Sequence, residues 1–161
     1  MKTMENSITI EKSELQQQID LRNHYMGESA KRKDKDADTI QSSKDDEDLL
    51  GMFTERACNE LVTAVALRFS SIEYTMNGNS IVFRFETPGN ARSHLLPILR
   101  QSILDFLVNE TIMHWILLRS PQMAQPYVSL RAELSSNVLF AFAKMYNCKK
   151  TRRRATDLAG I

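Results

Sequence analysis

The chain has 161 residues, with 21 Lys and Arg against 20 Asp and Glu, so its formal net charge is +1. This length fits one ordinary domain but not two, and 42% hydrophobic with 25% charged residues excludes wholesale disorder. Two Cys exclude a disulfide-stabilised scaffold, and this pair alone cannot supply a four-ligand zinc site. The charges are unevenly placed along the chain, and their placement is more informative than their sum.

The first predicted helix spans residues 13–26, because Ser13 and Gln16 have the spacing of a capping box. Gly27 is predicted to end it, and the polar stretch 28–48 is typical of an exposed linker. A helix this polar is marginal alone, so we expect it to dock either on the core or on another chain. Its thin apolar stripe consists of Leu15, Ile19, and Tyr25 or Met26.

The second helix is predicted from Ser43 or Lys44 to Phe69, because apolar residues recur along it at spacings of three and four. The acidic residues 45–48 would lie near the positive end of its dipole. Alternating apolar residues over 72–86, interrupted by the turn sequence Asn77-Gly78-Asn79, then predict a β-hairpin. A lone hairpin is unstable in water, so we expect its apolar face to pack on a helix or to pair with another chain's sheet.

The most apolar segment, Leu95–Leu118, is predicted to be the central core helix. It is long enough to span a bilayer, but Arg100, Asp105 and Glu110 would place charges at membrane depth, which favours a buried helix of a soluble protein. Pro126 suits the first position of a last helix, and the short connection predicts that the two helices pair antiparallel.

These elements predict a mainly α protein: a small helical bundle with one inserted β-hairpin, plus extended N-terminal and C-terminal arms. The predicted division assigns the first helix and charged linker to residues 1–42, the helical core to 43–148 and a basic tail to 149–161. Residues 1–11 contain no apolar run of signal-peptide length, so no export is expected.

The sequence contains no phosphate-binding loop, no nucleophile elbow and no Cys-x-x-Cys motif. Glu110 and His114 are spaced i, i+4 and share a helix face that could hold a metal, but no third ligand at matching spacing accompanies them. A metal-dependent enzyme is therefore the weakest alternative. We predict no enzyme activity, no catalytic residue, no cofactor and no metal ligand.

The C-terminal tail carries a cluster of basic residues, which is open to two interpretations. One is contact with phosphates or an acidic protein surface, including salt-dependent, non-specific binding of DNA. The other is a helix C-terminus favoured by cations and followed by a solvated tail. The residues concerned are Lys149, Lys150, Arg152, Arg153 and Arg154.

The order of these parts resembles small head–tail connector proteins (adaptor or neck proteins) of tailed bacteriophages, and more closely phage and prophage virion proteins of Bacteroidetes. The resemblance rests on Lys44–Leu50 leading into Phe53–Cys58, a hairpin, and a helix ending at Ile112–Trp115. It continues with a last helix that closes on Lys144–Tyr146 before the basic tail.

The resemblance implies a virion structural protein whose copies form a ring that joins the portal to tail or neck proteins at the head–tail junction. Such a protein is made in the host cytoplasm and has no membrane partner. The residues expected to contact other subunits are Leu15, Ile19, Tyr25, Leu158 and Ile161. The alternative is a small nucleic-acid-binding or regulatory module that uses the basic cluster.

Overall fold

A computed structural model describes residues 2–32, 46–69 and 71–146. In chain order the described elements are β1 (Thr3–Glu11), α1 (Lys12–Arg32), α2 (Glu47–Ala66), β2 (Ile72–Met76), β3 (Ser80–Pro88), α3 (Leu96–Arg119) and α4 (Gln125–Met145). Short 3-10 turns at Ser93–Leu95 and Pro121–Met123 precede the last two helices. The prediction of a mainly helical protein is confirmed.

Helix α3 is the centre of the core, because it packs against α1, α2, α4 and β1. Most of its residues from Leu99 to Ile116 are buried, and Trp115 is completely enclosed. Helix α4 runs antiparallel to α3. The backbone N–H of Arg92, just before α3, donates to the backbone oxygen of Met145, at the end of α4, at 2.8 Å. None of the described helices, α3 included, combines the length and apolar character that crossing a bilayer requires.

The three strands form one antiparallel sheet in the order β1-β3-β2. Ile8 pairs with Phe83 and Ile10 with Ile81, and all four side chains are buried on the same face of the sheet. The chain approaches itself closely where β1 begins. A Cβ atom at Gly89 would lie 2.8 Å from the backbone oxygen of Lys2, so only glycine fits there without a shift.

The strand β1 corrects the prediction of an extended N-terminal arm. It pairs along its length with β3, from Thr3 opposite Pro88 to Glu11 opposite Ser80. The β2–β3 pair therefore gains a third strand from its own chain, and no other chain's sheet is needed to complete this side of it. Residues 1–11 were missed because only two of them, Ile8 and Ile10, carry the apolar alternation of a strand.

Helix α1 also differs from its predicted extent, since it continues through Gly27 to Arg32. A glycine inside a helix costs only about 1 kcal/mol relative to alanine, and helix-forming neighbours offset that cost. The guanidinium of Arg100 fixes the start of α1 to the core, because it pairs with the Glu14 carboxylate and donates from Nε to the Thr9 oxygen at 3.0 Å. The predicted cap Ser43 and most of the predicted linker lie outside the described residues.

Candidate functional site

Three titratable side chains from two helices meet at one point beside α4: Glu60 of α2 with Glu110 and His114 of α3. Each offers one potential ligand atom, and these atoms lie within 4.8 Å of one another. His114 Nε2 is 3.6 Å from Glu60 Oε1 and 3.8 Å from Glu110 Oε2. We refer to these three residues as the acid–histidine cluster.

The acid–histidine cluster lies in the protein interior because α3 is the central helix and Glu110 and His114 are one turn apart on the side facing α2. The side chain of Glu110 is 0% exposed and that of His114 is 10% exposed. Both carboxyl oxygens of Glu110 and Nε2 of His114 lack a hydrogen-bond partner among the described residues. A buried polar atom without a hydrogen-bond partner costs about 1–3 kcal/mol of folding free energy. The protein alone therefore does not fill the hydrogen-bonding capacity of the acid–histidine cluster.

Two arginines approach the cluster from the solvent side. Arg131 of α4 places its terminal nitrogen 2.8 Å from Glu60 Oε2 and its Nε 3.1 Å from Glu110 Oε1, although the second contact lacks hydrogen-bond geometry. Arg56 of α2 places Nε 3.3 Å from Glu60 Oε1. The guanidinium groups therefore offset the negative charge of the carboxylates and bring α4 into the same network.

Burial and charge set the protonation of the cluster. Burial raises the pKa of Glu110 to about 8, and the adjacent Glu60 carboxylate raises it further against the opposing effect of Arg131. Burial also lowers the pKa of His114 below its ordinary value, and it outweighs the attraction of Glu60. For Glu60, burial disfavours ionisation, but contact with Glu110 and the charge of Arg131 still hold its pKa below the ordinary range. At neutral pH the cluster thus holds a protonated Glu110, a neutral His114 and an ionised Glu60.

An open groove of about 580 Å³ lies over His114, between α2, α3 and the start of α4. Phe53 stacks on the His114 ring at a centroid distance of 5.9 Å and forms one side of the groove. Arg56 and Arg131 supply its charged groups. The remaining lining is apolar and consists of Met113, Leu117, Leu118 and Val128.

The structure corrects the assignment of two residues predicted to contact other subunits. Leu15 and Ile19 are 4% and 1% exposed, respectively, because they face the chain's own core, so they offer no surface to a neighbouring subunit. Tyr25 is 66% exposed, and its contact with another subunit stays a prediction. The other predicted contact residues, Lys149, Lys150, Arg152, Arg153, Arg154, Leu158 and Ile161, lie outside the described residues.

The structure also supplies what the sequence spacing lacked around Glu110 and His114. Glu60 adds a third potential ligand from a different helix, 50 residues earlier in the chain. Arg131 then bridges Glu60 and Glu110 from α4. No local sequence motif predicts that Glu60 or Arg131 belongs to the cluster, because their proximity to Glu110 depends on how α2 and α4 pack against α3.

Comparison with known proteins found no match: no family model, no curated protein and no solved structure is significantly similar to this chain.

Proposed function

We propose that this chain is a non-enzymatic structural subunit that assembles with copies of itself into a head–tail connector ring of a tailed bacteriophage. In this proposal the helices together with the three-stranded sheet are the body of the subunit, and the ring joins the portal to the tail or neck proteins. The observation that supports it best is the exposed apolar surface on two different helices, α4 and α1.

The outward side of α4 carries a stripe of apolar and small residues, next to Lys144, whose amine lies 4.4 Å from the centre of the Phe140 ring. Val128, Ala132, Ser136 and Phe140 follow one another at four-residue spacing, which places them in one stripe along the helix. All four are exposed, and the Phe140 side chain is 61% exposed. Small residues flanking exposed apolar ones allow another helix to approach closely, so this stripe fits a protein contact better than a solvated face.

The second apolar surface is on α1, where Leu21 and Tyr25 are neighbours one turn apart. Leu21 is 48% exposed and Tyr25 is 66% exposed. Contact between two different surfaces of identical subunits is heterologous, and such contacts close into rings when the rotation between subunits permits. A pairing of the α4 stripe with the Leu21–Tyr25 surface of the next subunit is therefore the contact we assign to the ring.

Introducing a positive charge into either of these two apolar surfaces tests the contact between them. Replacing Phe140 or Tyr25 by Arg buries an unpaired charge in the assembled ring, so each variant is expected to weaken association at least about tenfold. The matched control is Leu67→Arg, because Leu67 is 81% exposed and belongs to neither surface. Sedimentation velocity over a concentration series measures the effect.

The expected pattern is dissociation of the Phe140→Arg and Tyr25→Arg variants with an unchanged Leu67→Arg assembly. Equal behaviour of all three variants and the unaltered chain would show that neither helix forms the contact. Circular dichroism of each variant confirms that the helical content is retained.

The basic cluster of the tail supports a second candidate function, a nucleic-acid-binding module. Changing Lys149, Lys150, Arg152, Arg153 and Arg154 to Ala would then lower duplex DNA affinity most strongly at low salt. The slope of log affinity against log salt is expected to become shallower by up to about 4.5 units, since each phosphate contact contributes about 0.9. Fluorescence anisotropy with a labelled duplex measures this slope. An unaltered slope and affinity in the five-residue variant would exclude this function for the cluster.

A further inference from the structure

The donor atoms of the acid–histidine cluster form a set that first-row transition metals prefer. Two carboxylate oxygens and one imidazole nitrogen come from Glu60, Glu110 and His114, and zinc sites use these ligand types. We propose that the cluster binds one divalent transition-metal ion of the Zn²⁺ class. The proposed ligand atoms are Glu60 Oε1, Glu110 Oε2 and His114 Nε2.

The spacing of these atoms is close to that of a metal site. Bonds of about 2.0–2.2 Å in tetrahedral geometry place neighbouring ligand atoms roughly 3.3–3.5 Å apart. The two distances from His114 Nε2 are 3.6 Å to Glu60 Oε1 and 3.8 Å to Glu110 Oε2. The ligand atoms of all three side chains lie within 4.8 Å of one another, so an ion between them requires each atom to move inward.

A second observation points to a ligand independently of the spacing. The side chain of His114 is only 10% exposed, and its Nε2 has no hydrogen-bond partner among the described residues, beside the completely buried carboxyl group of Glu110. Buried polar atoms in folded proteins are almost always paired. An ion bound between Glu110 and His114 would give Nε2 of His114 the partner that it lacks among the described residues.

The arginines leave room for this ion. Arg131 lies against Glu60 Oε2 and Glu110 Oε1, the oxygens that we do not assign to the metal, and so orients both carboxylates from behind. Arg56 does approach the assigned oxygen of Glu60, but its side chain is 63% exposed and free to turn into solvent. His114 lines the open groove, but its Nε2 is buried, so the ion would lie beneath the groove in the protein interior.

The test uses the full-length chain, purified without a histidine tag and treated with a chelator that is then removed. Calorimetric titration with Zn²⁺ and visible absorption with Co²⁺ are expected to show one ion per chain. Glu110→Gln and His114→Gln should each weaken binding at least about 100-fold, because each removes one of three protein ligands and even outer-shell changes cost 10–100-fold. The matched control is the double variant His24→Gln/His94→Gln, which removes the other two of the three histidines.

Binding that is retained in the control and lost in Glu110→Gln and His114→Gln supports the site. Three outcomes overturn it: no binding by the unaltered chain, binding that survives in Glu110→Gln and His114→Gln, or binding lost in the control. Circular dichroism establishes that each variant is folded. If His114→Gln does not fold, the Glu110→Gln variant decides alone, because glutamine has nearly the size and shape of glutamate.

Discussion

Replacing Glu110 by Gln is expected to make the metal-free protein increasingly more stable than the unaltered protein as the pH rises from about 5 to 8. Because burial raises the pKa of Glu110 to about 8, the folded protein keeps this proton where the unfolded chain has lost it. The unaltered protein therefore loses up to about 1.4 kcal/mol of folding free energy per pH unit in this range. Glutamine does not titrate, so the folding free energy of the variant does not fall for this reason as the pH rises.

Urea unfolding in the presence of a chelator, repeated at several pH values, measures this difference. The difference should stay constant below about pH 4.5, grow through the stated range and level off above about pH 8. The lowered pKa of His114 destabilises the protein as the pH falls, but both proteins share this effect, so it largely cancels. Glu133→Gln, at an exposed position on α4, is the control and should show a small difference at every pH. A difference that does not vary with pH in Glu110→Gln would contradict the burial of an uncompensated carboxyl.

Replacing Ile10 by Ala is expected to lower the free energy of unfolding by about 2–5 kcal/mol, the range for truncating a buried Ile or Leu. Ile10 is 0% exposed and lies opposite Ile81 in the sheet, so the shorter side chain leaves a cavity under β1. Met4→Ala on the same strand is the control, because Met4 is 47% exposed and its loss should cost about 0.5 kcal/mol or less. Urea unfolding of both variants compares them. Equal, small losses would show that β1 is not docked on the core.

The helices of the core could be predicted from the sequence because their signals are local. The apolar run of Leu95–Leu118 corresponds to α3, observed at Leu96–Arg119. Pro126 likewise indicated the start of α4, observed at Gln125–Met145. In each case the signal, an apolar run or a proline at the helix start, lies within a single stretch of chain.

The N-terminal region could not be predicted in the same way, because its structure depends on a distant partner. The strand β1 pairs with β3, which begins almost 70 residues after β1 ends, at Glu11 opposite Ser80. Three apolar residues among nine, of which only Ile8 and Ile10 alternate, do not identify a strand until that partner is known. The same packing decides which residues of α1 are buried: Leu15 and Ile19 face the core, whereas Tyr25 faces solvent.

The candidate site was only half visible in the sequence. The i, i+4 spacing of Glu110 and His114 places them on one face of α3, and this follows from helix geometry alone. Glu60 and Arg131 belong to other helices and join the pair through tertiary packing. The sequence shows no third ligand beside Glu110 and His114, but packing of α2 against α3 supplies Glu60. The sequence alone predicts no metal ligand, whereas the structure contains a candidate metal site that can be tested.

The self-assembly of this chain is tested most directly by native mass spectrometry of the full-length protein. If the α4 stripe meets the Leu21–Tyr25 surface of the next subunit, the spectrum should contain one closed species whose mass is a whole multiple of 18.5 kDa. That species should persist on dilution better than in the Phe140→Arg variant. A single species of 18.5 kDa at all concentrations would contradict the account.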